Sequence, residues 1–423
     1  MRRVPLALAV SLSASALALA PATGAAEWSA PVRVSPADRA GYHSAAVAAG
    51  PGGAALAAWV RVPAGAPRAA GRAQIAARGR GGGWSDPTIL SGPGASRPRV
   101  ALNARGDAVA AWLNGRLIVA AARRGPRGPW RPRRVGEAGA PVQQLLVAVD
   151  RRGRPTAAWV ERRDGGFQVR LATAGAGGAE WVIRMARLAT PGPEPPAVAL
   201  SAGKGALAAW LDDDRVLASR TVAGAFEPPV EMSDPAASAP GIALGGSGAA
   251  LASWSVRLPG GSRVLQAAGR PPAAPRWGTA EDVGLGGEPV VAVNRAGDAV
   301  VAWGSGEPEG EQALEASTRR RGGLWRASTI VAPRECRCEL SAAAAAVDGT
   351  GRAVVSWRRD DGTAQGGGAA SLPADGDRWE PADVPAGRLA AAPAVGAAGT
   401  AGTAAAWAIA GPGGEVRAAR NSG

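Results

Sequence analysis

Two aromatic series that each count to eight, a four-strand pattern inside each repeat, and chain ends that complement one another in phase predict an all-β fold. The architecture expected is an eight-bladed β-propeller with four-stranded blades, the last closed by the N-terminal strand. Seven blades is the alternative count.

The first series closes runs of small apolar residues, as in Ala57-Ala58-Trp59. It comprises Trp59, Trp112, Trp159, Trp210, Trp254, Trp303, Trp357 and Trp407, with gaps of 53, 47, 51, 44, 49, 54 and 50 residues. The second comprises Trp28, Trp84, Trp130, Trp181, Trp277, Trp325 and Trp379, with Phe226 in the one remaining place, so all 15 tryptophans are assigned. A period of about 50 residues marks a repeat architecture rather than several ordinary domains.

One unit reads in full between residues 98 and 136. Val100-Ala101-Leu102 predicts strand a, Asn103 to Gly106 a turn, and Ala108 to Trp112 strand b. Asn114-Gly115 predicts a tight turn, Leu117 to Ala121 strand c, and Trp130 to Val135 strand d. The first turn recurs as Asp150 to Gly153, Asn294 to Gly297 and Asp348 to Gly351. Asn or Asp caps its own backbone there and Gly three residues on supplies positive φ, which explains the spacing without a metal or sugar ligand.

Strand b is apolar on both faces: Ala108, Ala110 and Trp112 on one, Val109 and Ala111 on the other. Such a strand lies between two sheets. Burying one indole removes roughly 150–250 Å² from water, an upper bound of about 4–6 kcal/mol before entropy. Packing therefore accounts for both series without a sugar-stacking role.

Closure follows from phase. A d-type segment, Trp28 to Val34, comes first; the chain closes with a (Pro393 to Val395), b (Thr403 to Trp407) and c (Glu415 to Ala419). Together they complete one blade and remove two exposed edges.

Residues 1–26 read as a signal peptide: Arg2 and Arg3, an apolar run from Val4 to Ala20, then Pro21 and small residues up to Ala26. The expectation is a secreted or extracytoplasmic monomer with no membrane span after cleavage, residues 27–423 forming the propeller. The net charge is +14 and Lys204 is the only lysine. That balance suits acidic polymers. Arginines dispersed along the repeats, without a motif of stacking aromatics, argue against nucleic acid.

Antiparallel order puts the b–c turns and d–a crossovers on one face. The b–c segments vary in length and charge, so any site is placed there, near the axis. Tyr42 and His43, the only tyrosine and histidine, sit just before the first strand a and are the candidate nucleophile or acid–base pair, with loop packing as the alternative. Asp212-Asp213-Asp214 lacks the spaced ligands of a calcium loop and reads as a solvated turn. Cys336 and Cys338 flank Arg337; a local disulfide, reduced thiols and pairing between chains are all open. With one histidine and two cysteines the chain is short of good zinc ligands, and no metal or cofactor is expected.

The repeats, such as Val147-Ala148-Val149-Asp150 through Gly153 to Ala158-Trp159, resemble those of uncharacterised exported bacterial β-propeller proteins, distantly sialidase-like in architecture, over nearly the whole mature chain. No repeat carries the Asp-box (Ser-x-Asp-x-Gly-x-Thr-Trp); Trp159 follows Gly153 by six residues. Sialidase chemistry uses an arginine triad, a tyrosine nucleophile with a Glu partner and an acid aspartate. Tyr42 is the only tyrosine available for it, and the activity is not carried over. The function expected is a non-catalytic binding or scaffold propeller for an envelope glycan, an acidic polymer or a protein. The alternative is a glycan-active hydrolase or lyase.

Overall fold

The structure, a computed structural model, describes residues 28–421 apart from 51–52, 81, 164, 179, 183–187, 193, 202–203, 223–224, 273, 275, 307–311, 333–338, 361–364, 383–393, 398–402 and 409–414. The signal-peptide residues 1–26 and both cysteines, Cys336 and Cys338, lie outside the described residues.

The chain is an all-β propeller of four-stranded blades. Its described strands pair into eight antiparallel sheets. Seven take strands consecutive in the chain, which matches the alternative count of seven blades. The remaining sheet is composite, in the order Val32–Arg33, Val416–Asn421, Thr403–Ala408, Ala394–Ala397. Val32 pairs with Ala418 and Arg33 with Arg417, and Trp28 Nε1 donates to the Glu380 carbonyl of the seventh sheet.

The second sheet shows the blade plan: Ala95–Leu102, Ala108–Asn114, Leu117–Arg123 and Arg131–Glu137. Each strand exceeds its apolar run because the ladder is made by backbone and admits polar residues such as Ser96, Asn114 and Arg131. The innermost strands of sheets one to seven are Gly41–Ala49, Ala95–Leu102, Val142–Val149, Ala197–Ser201, Ala237–Leu244, Gly287–Val293 and Glu339–Val347. Each packs against the innermost strands on either side. The cycle returns to Gly41–Ala49 through Ala394–Ala397 of the composite sheet.

The core is a set of apolar layers between sheets. Ala108, Ala110 and Trp112 pack on Leu56, Ala58 and Ile75 of the first sheet, while Val109 and Ala111 pack on Ala157 and Trp159 of the third. Each strand-b indole with a described side chain faces the sheet before it: Trp210 meets Val160, Trp254 meets Ala218, Trp303 meets Leu265, and the partly buried Trp357 meets Leu314. Trp59, in the first sheet, faces Val416 and Ala418 of the composite sheet. Trp407 lies in strand Thr403–Ala408, but its side chain is outside the described residues. Small residues at Ala57, Ala110 and Ala157 let the sheets approach, and the indoles fill the space that widens outward.

The second aromatic series sits farther out and is half-buried except for Trp379. An arginine from the end of strand c lies over several of these rings: Arg123 over Trp130 at 4.8 Å, Arg270 over Trp277 at 5.7 Å and Arg319 over Trp325 at 4.7 Å. These cation–π stacks cap the layers at the rim.

The a–b turns are capped as expected and also latch sheet to sheet. Asn103 Oδ1 accepts the N–H groups of Arg105 and Asp107, and Gly106 has φ +84°. Asn103 Nδ2 donates to Asp107 Oδ2 and, across the layer, to the Asp150 carbonyl at 2.7 Å. Asn294 repeats this toward Asp298 and the Asp348 carbonyl, and Ser201 Oγ donates to the Gly245 carbonyl. Asn103→Ala is expected to cost about 1–3 kcal/mol in chemical denaturation, because it orphans several backbone partners. Replacing the exposed Arg105 with Ala should change stability by less than about 0.5 kcal/mol.

Candidate functional site

The face of the b–c turns is organised by bulges in the innermost strands. Register breaks fall between His43 and Ala46, Ser96 and Arg99, Ser238 and Gly241, and Gly287 and Val290. Inside these breaks Ser44, Arg97, Ala239 and Glu288 all have φ near +50°. A non-glycine residue in that region carries strain of about 1–3 kcal/mol, and a bulge re-aims its side chain. At Arg97 the result is visible: Nη1 crosses to the carbonyls of Val142 (2.6 Å) and Gln143 (2.9 Å) in the third sheet.

Tyr42 stands at the start of the first innermost strand and is 1% exposed. It packs among Val34, Val47, Trp59 and Val416. Its hydroxyl donates to Asp38 Oδ1 at 2.8 Å, and Arg61 Nη2 donates to Asp38 Oδ2 at 2.6 Å. Burial, then the hydrogen bond and charge of Asp38, push the phenol up to about 12. Burial raises the Asp38 pKa, but hydrogen bonds from Arg61, Tyr42 and the Ala40 N–H outweigh it and hold the carboxyl below its ordinary value. His43 is the next residue on an extended strand and projects to the opposite face. Burial, then the Arg68 charge, lower its pKa. Adjacent in sequence, Tyr42 and His43 are therefore not brought together as a pair.

The raised phenol pKa has a defined sign. The folded state holds the Tyr42 proton more tightly, so the stability it contributes is complete below about pH 10 and disappears as pH climbs toward 12. Tyr42 is the sole tyrosine, so tyrosinate absorbance reports it alone. Ionisation is expected at about pH 12 in the folded protein and at about 10 in denaturant. Tyr42→Phe should remove an alkaline loss of about 2–3 kcal/mol. Folded protein ionising at the denatured value would contradict the buried hydroxyl.

A second charged group, missed by the sequence reading, lies between sheets two and three. Glu161 is fully buried. Its Oε2 accepts the Gly139 N–H at 2.8 Å, its Oε1 accepts Arg163 Nη2 at 2.9 Å, and Arg170 Nη1 stands 3.6 Å away. The Arg170 guanidinium lies 5.2 Å over the Trp159 ring. Glu161 occupies the position two residues after a strand-b tryptophan, as do Arg61 and Asn114. Glu161 binds the crossover entering its sheet, as Arg61 does through Asp38. That Trp+2 position was the available signal, because two-residue periodicity points it the same way as the indole.

Around the same crossover stand several exposed arginines. Arg97 reaches Val142 and Gln143, Arg116 Nη1 points at the Gly139 carbonyl (3.5 Å), and Arg163 lies beside Gly139. Arg99 is exposed next to Arg97. Asp212-Asp213-Asp214 forms a two-residue hairpin turn, with Asp213 and Asp214 both at positive φ and Asp212 paired with Arg215. Among the described residues no group of three or more His, Cys, Asp or Glu is placed to hold a metal ion.

No family model and no curated protein matches the chain. Solved structures do. The Dos1 propeller is 10% identical, with 93% of this chain and 95% of that one covered and a TM-score of 0.52. An ulvan lyase, a polysaccharide lyase bound to -[GlcA(1-4)Rha3S]-, is 10% identical over 91% of this chain and 95% of that one, TM-score 0.50. A Hadza microbial sialidase, Hz136, is 11% identical over 93% and 68%, TM-score 0.37. For the first two the likeness is one of fold. The site chemistry of this propeller has to be read from its own residues: a sealed Tyr42–Asp38–Arg61 cluster and an open arginine group over a buried Glu161.

Proposed function

We propose that the protein is an exported, non-catalytic propeller that binds an acidic envelope polysaccharide on the face of the b–c turns, at the junction of its second and third sheets. In this reading residues 1–26 are removed on export, residues 27–423 form one domain, and the composite sheet is the eighth blade of the ring. The observation that carries it is the grouping of exposed Arg97, Arg99, Arg116 and Arg163 around one crossover, in a chain of net charge +14. Among the described acids nearby, Glu161 is buried beneath them and pairs with Arg163, and Glu137 pairs with Arg134, so Arg97, Arg99 and Arg116 carry the unmatched charge. A polymer with regularly spaced anions would engage such a group by many weak, salt-screened contacts. Tyr42 is closed off from solvent with its proton held by Asp38, which favours binding over nucleophilic chemistry.

A second reading, a glycan-active lyase or hydrolase, draws on the fold shared with the ulvan lyase, whose bound saccharide contains an acidic sugar. One experiment separates them. The purified protein is applied to immobilised uronate-containing and neutral polysaccharides, and the bulk polymer is sized after incubation. The binding reading predicts retention on the acidic polymer, release as salt is raised, and no change in polymer size. Replacing Arg97, Arg99 and Arg116 together with Gln should weaken retention by roughly tenfold or more. Equal retention on neutral polymer would overturn the proposal, and shortening of the polymer would favour the enzyme.

A further inference from the structure

The outer wall between sheets four and five holds a cleft of about 400 Å³, within the size range of small-molecule sites. Its origin is local. The outermost position of sheet four is split into Ala225–Phe226 and Val230–Glu231, both pairing with Arg215–Val222. Pro228 and Pro229 lie between them and have no N–H for the ladder, so the edge opens there. The sheet-four side brings the apolar Leu207, Val230 and Met232 together with the charged Arg220, Glu227 and Glu231. Across from it stand Arg270, Arg276 and Trp277 of sheet five.

The charges in the cleft do not balance. Glu227 is taken by Arg220, and Glu231 by Arg215. Arg270 is only 6% exposed, and its Nε is buried without a hydrogen-bond partner. Its guanidinium lies over Trp277 and gains no carboxylate among the described residues. The equivalent arginine in sheet six shows what is missing: Arg319, stacked over Trp325, meets Glu281 of the preceding sheet at 3.0 Å. Arg123 in sheet two shares the unpartnered Nε; Arg270 differs in lining an open cleft beside a second arginine, Arg276. Burial, then the Arg220 charge, act against the Arg270 cation, while Glu227 favours it. A bound anion would relieve this.

From this geometry we infer that the cleft is a binding site for a small organic carboxylate with an apolar body, its carboxylate between Arg270 and Arg276 and its body against Val230, Met232 and Leu207. The site is separate from the arginine group on the b–c face. Its class follows from the lining: two unmatched cations on the sheet-five side, and on the sheet-four side apolar side chains among charges already paired.

The test is calorimetric titration of the full chain with benzoate and with its neutral isostere benzamide. Benzoate is expected to bind saturably and benzamide at least about tenfold more weakly, the scale of a lost charge-assisted hydrogen bond. Arg276→Gln, at an exposed position, and Arg270→Met should each weaken benzoate by about the same factor, with melting curves checking that Arg270→Met still folds. No saturable benzoate binding, equal affinity for benzamide, or Arg276→Gln binding as tightly as the parent would each overturn the site.

Discussion

Removing residues 414–423 is expected to destabilise the entire protein, by on the order of 5 kcal/mol or more, comparable with the total stability of a typical domain. The segment carries Val416–Asn421, the strand that joins Val32–Arg33 on one side to Thr403–Ala408 on the other. Val416 and Ala418 are almost fully buried against Tyr42 and Trp59 of the first sheet. The Val416 N–H bonds to Ser35 Oγ, and the Val34 N–H to the Val416 carbonyl. Deletion thus strips the first layer of its facing wall and leaves Val32–Arg33 without a strand to pair with. Chemical denaturation followed by far-UV dichroism reads the effect. A truncated chain with the parent's midpoint would mean that the composite sheet adds nothing to the rest.

Trp303→Ala is the single substitution expected to cost most, about 3–5 kcal/mol. Trp303 is fully buried, and its Nε1 donates to the Leu285 carbonyl of the preceding sheet at 2.8 Å. Gly284 and Gly286 lie flat against the ring: a Cβ on Gly284 would fall 2.3 Å from Cζ2, and one on Gly286 2.4 Å from Cδ1. Gly286 is also at φ +148°, closed to ordinary side chains. The two walls are matched to the indole, so its loss leaves a cavity they cannot fill and an orphaned carbonyl. Trp325→Ala, at the half-buried outer position, should cost less. Equal effects at the two sites would contradict the division into an inner and a rim series.

The layering was legible because a recurring tryptophan after small residues is a large, rare signal, and because Asn103, Asp150, Asn294 and Asp348 with glycine three positions on admit one economical turn. The faces of strand b were legible for the same reason: Ala108, Ala110 and Trp112 alternate with Val109 and Ala111, and each set found its own neighbouring sheet. The site was less so. Bulges at Ser44, Arg97, Ala239 and Glu288 use residues that ordinarily avoid positive φ, so local preference points away from them. Tyr42 and His43 drew attention by rarity, yet strand alternation separates them. The Glu161 cluster and the Arg270 cleft depend on contacts between sheets. Arg270 and Arg319 look alike in the sequence and differ only in whether the preceding sheet offers a free carboxylate.

The closure of the propeller depends on the Val32–Arg33 and Val416–Asn421 strands sharing one sheet, and a designed cross-link tests this directly. Val32 and Ala418 are facing partners across antiparallel strands, a geometry in which Cα atoms sit about 4.5–5.5 Å apart and within reach of a disulfide. With Cys336 and Cys338 replaced by Ser, and Val32 and Ala418 by Cys, oxidation of the monomer is expected to yield a single intramolecular link between the two terminal peptides by mass spectrometry. Free thiols after oxidation, or links only between chains, would contradict the closed ring.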